Sequence, residues 1–188
     1  SASVVQVGSL IYATNTVLSG SCDAVRWLVV SASTRTVVGQ GIIADPNYDF
    51  FQPSIGVNGT GTFLLGFNRV GRTAGAGNLG IYGAVGTTSG TTISVGSPFL
   101  LHAGSVSNFT GPSFDTGTDK RWGDYSATTV DPTNSDLFWT IAEIPVTSTN
   151  WGTRIISVAV PEPSAWAVAV AGLTGVGWSR RRPRRRRG

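Results

Sequence analysis

The sequence predicts an all-β fold built from antiparallel sheets, followed by one short apolar helix at the C-terminal end. Segments rich in Val, Ile, Thr and aromatic residues recur along the first 160 residues. Gly, Asn, Asp, Ser and Pro punctuate them at intervals of about 8–12 residues, the spacing of sandwiches, barrels and propellers. No stretch before residue 164 keeps a helical period. Composition agrees: 25 of the 188 residues are glycine, 13% are charged, and lysine occurs once, at Lys120. Helical bundles and coiled coils lean on Ala, Glu, Lys and Leu instead. With 40% hydrophobic residues, the chain is also a poor candidate for disorder.

The clearest strand candidates are residues 9–17, 24–38, 62–70, 79–85, 91–101 and 137–144. Within the third, Thr62-Phe63-Leu64-Leu65-Gly66-Phe67 is apolar on both faces, which marks a strand buried between two layers. A degenerate repeat joins these segments. Val5-Gln6-Val7-Gly8-Ser9-Leu10-Ile11-Tyr12 resembles Ile55-Gly56-Val57-Asn58 followed by Phe63-Leu64-Leu65-Gly66-Phe67, and again Thr129-Val130-Asp131-Pro132 followed by Leu137-Phe138-Trp139-Thr140. Each is a short strand, a polar turn and a bulkier strand. A third strand follows each one, beginning near Ala24, Leu79 and Thr153. The period of roughly 50–75 residues accommodates a four-stranded propeller blade with its loops, while two or three blades cannot close a ring. The expectation is therefore partial β-propeller blades, with a β-sandwich as the alternative. Trp122, Phe138, Trp139 and Trp151 are expected to be largely buried.

The single cysteine, Cys22, and single histidine, His102, exclude an intramolecular disulfide and a Cys/His zinc site. No methionine occurs, so the chain is expected to be a processed product or a fragment, and a missing signal peptide carries no meaning. The formal charge of +4 conceals a division. Residues 1–160 hold seven basic and nine acidic residues, a balance of −2, and seven arginines lie in the last nine positions. The body thus offers no basic patch for nucleic acid.

Other candidate chemistry is thin, and no catalytic or metal-binding residue is assigned. Gly75-Ala76-Gly77-Asn78-Leu79-Gly80 spells a dinucleotide-binding pattern, but a strand follows where a helix is needed. A hairpin loop is expected there. His102 and Ser105 lack a nucleophile elbow. Asp124 and Asp131 have no spacing that supports paired-carboxylate hydrolysis. Asp115, Asp119, Asp124 and Asp131 offer oxygen donors of the kind calcium takes, yet fit no EF-hand, and turn formation is the expected role. Asp45-Pro46-Asn47-Tyr48-Asp49 reads as a turn in the same way. The Thr-rich runs form no regular Thr-x-Thr ladder, and strand propensity accounts for them.

The tail is the most specific feature. Val160-Pro161-Glu162-Pro163-Ser164-Ala165-Trp166 opens it, an apolar stretch runs to Trp178 and Ser179, and Arg180, Arg181, Arg182, Arg184, Arg185, Arg186 and Arg187 end it. Between Glu162 and Arg180 lie 17 uncharged residues, about 25 Å as a helix and near the lower limit for a bilayer. Gly172, Gly175 and Gly177 each weaken that helix by about 1 kcal/mol relative to Ala. Trp166 and Trp178 fall at the two interfaces, and the arginines hold the C-terminus in the cytoplasm, leaving the body outside. Pro161 and Pro163 keep the preceding segment extended. An arginine run beside a membrane span, with no interleaved aromatics, is a poor nucleic-acid site.

This three-part order resembles the PEP-CTERM sorting signal of Gram-negative bacteria, also catalogued as the ice-binding protein C-terminal domain. The resemblance implies recognition and cleavage by an exosortase, a membrane-embedded cysteine protease-transpeptidase. It implies a sorting motif at 160–163, a membrane helix at 164–179 and a basic end at 180–188, after an exported domain at 1–159. The inner membrane is then a transient partner, and an exopolysaccharide matrix a candidate destination. Gln52-Pro53-Ser54-Ile55-Gly56-Val57-Asn58, residues 121–132, Phe138-Trp139-Thr140 and Trp151-Gly152-Thr153-Arg154 resemble segments of secreted sialidase-like (BNR-type) propellers. Residues 113–119 resemble their aspartate box, a structural turn. That resemblance implies an exported propeller and no activity. Sialidase chemistry requires an arginine cluster and a Tyr–Glu pair, and Glu143 is the only glutamate outside the tail. The function expected is a non-enzymatic, cofactor-free surface or matrix protein; the alternative is the C-terminal fragment of a secreted sialidase- or glycosidase-like hydrolase.

Overall fold

The computed structural model describes residues 2–73, 77–106 and 125–160. These residues form twelve strands in three antiparallel sheets. The first sheet is a meander of β1 (Ala2–Val7), β2 (Leu10–Ser19), β3 (Cys22–Ser31) and β4 (Val37–Ile43). The second runs β5 (Tyr48–Val57), β6 (Thr62–Gly71), β7 (Gly80–Ser89) and β8 (Thr92–Val95), and β9 (Phe99–His102) also pairs with β7. The third is β10 (Ala127–Val130), β11 (Leu137–Pro145) and β12 (Trp151–Ala159). The three repeats read from sequence are the opening strands of these three sheets. Two-residue loops close the tightest hairpins. Val7 pairs with Leu10 around Gly8-Ser9, and Ser19 with Cys22 around Gly20-Ser21. Gly8 and Gly20 have φ of 57° and 64°, the positive value that such turns require at their first position.

The second sheet lies between the other two. Strand β6 is its central strand and is buried on both faces from Thr62 to Asn68, as its two-sided apolar sequence demands. Side chains alternate across it. Phe63, Leu65 and Phe67 face the first sheet, where they join Tyr12, Val25, Trp27, Val29, Phe50, Ile55 and Tyr82 in the main core. The rings meet at tilted or edge-on angles, with Tyr12–Phe63 centroids 5.6 Å apart and Phe50–Phe67 5.8 Å, the geometry that the ring quadrupole favours. Leu64 faces the other way and packs on Phe138 and Val160. Ile81, Ala142 and Ile144 extend that second interface.

Between the second and third sheets the core also carries a buried hydroxyl chain. Ser54 Oγ lies 2.7 Å from Thr128 Oγ1, which lies 3.0 Å from Thr140 Oγ1. Glycine at position 66 makes room for it: a Cβ there would stand 2.5 Å from Thr140 Oγ1 and 2.8 Å from Thr128 Oγ1. Strand β5 bends to reach this place. Its register shifts between Phe51 and Ser54, where Gln52 takes a φ of 53° and Pro53 sits at the bulge, a site where a strand tolerates a residue without an N–H.

Several expectations need correction. The predicted strand at 24–38 is two strands, because residues 32–36 turn and Ser31 N–H bonds back to the Thr36 carbonyl at 2.9 Å. Likewise 91–101 divides into β8 and β9 around Gly96-Ser97-Pro98. Phe138 is fully buried, but Trp139 and Trp151 are 37% and 53% exposed. Phe138, Thr140, Ala142 and Ile144 take the inward positions of β11, so Trp139 falls on the outer face; Trp151 opens β12 directly after the exposed residues 146–150. The described sheets close into neither a barrel nor a propeller. Trp122 and the apolar stretch 164–179 lie outside the described residues; among those described, no helix is long and apolar enough to cross a membrane.

Candidate functional site

A cleft of about 440 Å³ opens between the first and second sheets, lined by Trp27, Gly41, Ile43, Asp45, Phe50, Arg69 and the connection from Val95 to Pro98. Its volume falls in the range of small-molecule sites. Each wall has a local cause. Trp27 lies flat against Gly41 of the neighbouring strand, where a Cβ would come within 2.6–2.8 Å of its indole. Asp45 Oδ1 accepts hydrogen bonds from the Asn47 backbone N–H at 2.8 Å and the Asn47 amide at 3.1 Å. That is an Asx turn, as the sequence predicts for 45–49. Arg72 ties the turn down. It pairs with Asp49 at 3.6 Å and donates to the Pro46 carbonyl at 3.3 Å.

Arg69 is the distinctive group. It continues the inward alternation of Phe63, Leu65 and Phe67, so a cation stands at the end of an apolar stripe. Its guanidinium carbon lies 4.0 Å from the Tyr48 ring centroid and 3.9 Å from that of Tyr82. Both rings lie within cation–π range, and Nη2 donates to the Tyr82 hydroxyl. Among the described residues Arg69 has no ion pair. Sequence reading passed over Arg69; the signal was available as the single charge at the end of that stripe.

The residues singled out from sequence are placed differently. Val160 is buried against Leu64 and Phe138, and its N–H bonds the Asp136 carbonyl at 2.7 Å. Pro161, Glu162, Pro163 and the rest of the tail to Arg187 lie outside the described residues, as do Asp115, Asp119 and Asp124. Asp131 organises a turn. Its Oδ1 accepts from Thr133 Oγ1 at 2.6 Å, Thr133 N–H at 2.8 Å and Asn134 N–H at 3.1 Å, and its Oδ2 accepts from Trp139 Nε1 at 2.8 Å. Led by the Thr133 hydroxyl, these donors lower its pKa to about 2. Ser105 Oγ donates to the Val146 and Pro145 carbonyls at 3.1 and 3.3 Å, while His102 sits in β9 opposite Ile81. Gly77-Asn78-Leu79 forms an irregular connection leading straight into strand β7, so no helix N-terminus stands there for a pyrophosphate. Glu143 is buried on β11, and its carbonyl accepts from Asn68 Nδ2 at 3.0 Å. Among the described residues no group of three or more His, Cys, Asp or Glu is placed to hold a metal.

No family model matches the chain, and no curated protein matches it. Among solved structures it is similar to a subtype N11 neuraminidase-like protein of A/flat-faced bat/Peru, at 9% identity and a TM-score of 0.29. The alignment takes in 84% of this chain and 61% of that one. This chain therefore spans less than two thirds of that protein's length, and the overlap of the two folds is loose.

Proposed function

We propose that this chain is an exported, non-enzymatic protein of the cell surface or extracellular matrix, carried there by a PEP-CTERM signal at residues 160–188. In this reading the three stacked meanders are blades of an incomplete propeller, and an exosortase is the processing partner. The observation that carries it is the order of the tail: Val160-Pro161-Glu162-Pro163, then 16 uncharged residues from Ser164 to Ser179, then seven arginines. Each part answers a separate physical requirement. The prolines keep the recognition segment extended, the uncharged stretch crosses the bilayer, and the arginines resist translocation. Glu162 is the only charge beside the cleavage region, so it is the group the enzyme reads.

The body supports this with the position of Val160. Its burial and its bond to Asp136 fix the chain one residue before Pro161. Expression of the full chain with and without exosortase, followed by intact mass, tests the reading. Tail loss that needs exosortase and is blocked in Glu162→Ala supports it. Tail loss without exosortase would make the segment an ordinary protease-sensitive anchor.

A further inference from the structure

We propose that the outer face of the first sheet is a self-association surface, on which a second copy of this chain docks face to face about a twofold axis. The inference rests on the folded body alone and stands apart from the reading of the tail. An antiparallel sheet with one face in water alternates apolar and polar residues along its strands. Strand β3 departs from that pattern: Ala24-Val25-Arg26-Trp27-Leu28-Val29-Val30 carries a single charge, and its neighbour β2 carries none. Val25, Trp27 and Val29 fill the inner face, so Ala24, Leu28 and Val30 stand on the outer one with Arg26. This is the two-sided apolar pattern of β6, which is covered on both faces. The outer face of the first sheet belongs to none of the described core clusters, and its rim residues Val4 and Ile42 are 64% and 54% exposed.

Strand register lays this face out in rows. Across β2 and β3, Ile11 pairs with Val30, Ala13 with Leu28, Asn15 with Arg26 and Val17 with Ala24. Only the third row is polar, and it is matched internally, because Arg26 Nε donates to Asn15 Oδ1 at 3.2 Å. A twofold axis running between β2 and β3, parallel to both, sets each row over its own copy with the two members exchanged. The small Ala13 then meets the large Leu28 of the second copy. Asn15 meets Arg26 of the second copy, an amide oxygen against a guanidinium rather than like charges together. Aligned sandwiches bring two sheets about 10 Å apart in this manner, and an isologous contact closes as a dimer. Four strands about 4.8 Å apart and four rows about 6.8 Å apart make a rectangle of roughly 20 by 25 Å. With the relief of its side chains it offers on the order of 600–800 Å² per copy, close to one side of a standard interface.

The test is sedimentation equilibrium of the full chain in mild detergent. Wild type should form a dimer at about 100 μM. Leu28→Glu and Leu28→Lys should each weaken it at least about tenfold, because either variant buries like charges on both sides of the axis. An equimolar mixture of the two variants should dimerise again, since the same face of both copies makes the contact. A contact with any other face, or association through the apolar stretch 164–179, gives no such recovery. Near-ultraviolet circular dichroism checks the fold of each variant. Val4→Lys, at a position already exposed, leaves the core untouched and should weaken the dimer at least about threefold, which decides the question if the Leu28 variants lose their fold. A monomeric wild type, species larger than a dimer, unchanged association in folded Leu28→Glu or in Val4→Lys, or failure of the folded mixture to recover the dimer would each overturn the proposal.

Discussion

The Ser54 and Thr128 hydroxyls meet at 2.7 Å across the boundary between the second and third sheets, 74 residues apart in sequence. Thr128 passes the bond on to Thr140, so three hydroxyls satisfy one another where water has no access. Thr128→Val removes the middle member and leaves the Ser54 and Thr140 hydroxyls only their longer bonds to the Gly66 and Ala127 carbonyls, at 3.5 and 3.3 Å. The expected cost is about 1–3 kcal/mol, read from urea unfolding of the full chain in detergent. Adding Ser54→Ala should recover part of that loss, because a buried polar pair replaced together costs less than one left broken.

Gly66→Ala should be at least as damaging. The new methyl would stand 2.5 Å from Thr140 Oγ1, between two sheets that are both fully packed. Overpacking of this kind costs about 1–3 kcal/mol. A lowered urea midpoint with an unchanged m-value checks it.

Gly41→Ala should displace the Trp27 indole, because a Cβ at residue 41 would stand 2.6 Å from it. We expect a loss of about 1–3 kcal/mol and a red shift in tryptophan emission as the ring leaves its buried seat.

Asp131 sets an acid limit on its turn. Its pKa is lowered from the usual 3.8 to about 2 by the Thr133 hydroxyl first, then the Trp139 indole N–H and the backbone N–H groups of Thr133 and Asn134. A depressed folded pKa means the contribution is complete above about pH 4 and is lost as pH falls towards 2. Wild type should therefore lose stability across this window to a degree that Asp131→Asn does not. Unfolding midpoints of the two proteins at pH 4, 3 and 2, with Trp139 emission as a local reporter, decide it.

Removal of Arg180–Arg187 should impair retention in the membrane and processing together, because the charges resist crossing at about 2.5–3.5 kcal/mol each at mid-membrane. Membrane fractionation with intact mass reads both effects. Unchanged retention would show that the apolar stretch anchors the chain without them.

Much of this fold is legible in the sequence because its strands carry their own signals. The two-sided apolar run from Thr62 to Phe67 announces a strand between layers, and it is the central strand of the middle sheet. The three repeats announce three meanders, since each couples a turn to strands that must pair with their neighbours. The Asx turn at Asp45 and the turn at Asp131 were equally visible, because both are built from contacts within three residues. What the residues could not disclose by themselves is the parity of β11 and the join between sheets. Trp139 looks like core by composition, but Phe138 holds the inward position, and alternation then sends the indole outward. The cleft belongs wholly to tertiary structure. Tyr48, Arg69 and Tyr82 come from β5, β6 and β7, which pairing within the second sheet sets side by side, and Trp27 of the first sheet closes the cleft only once the two sheets stack. Local periodicity specifies which residues extend and which turn; long-range packing decides which of them meet.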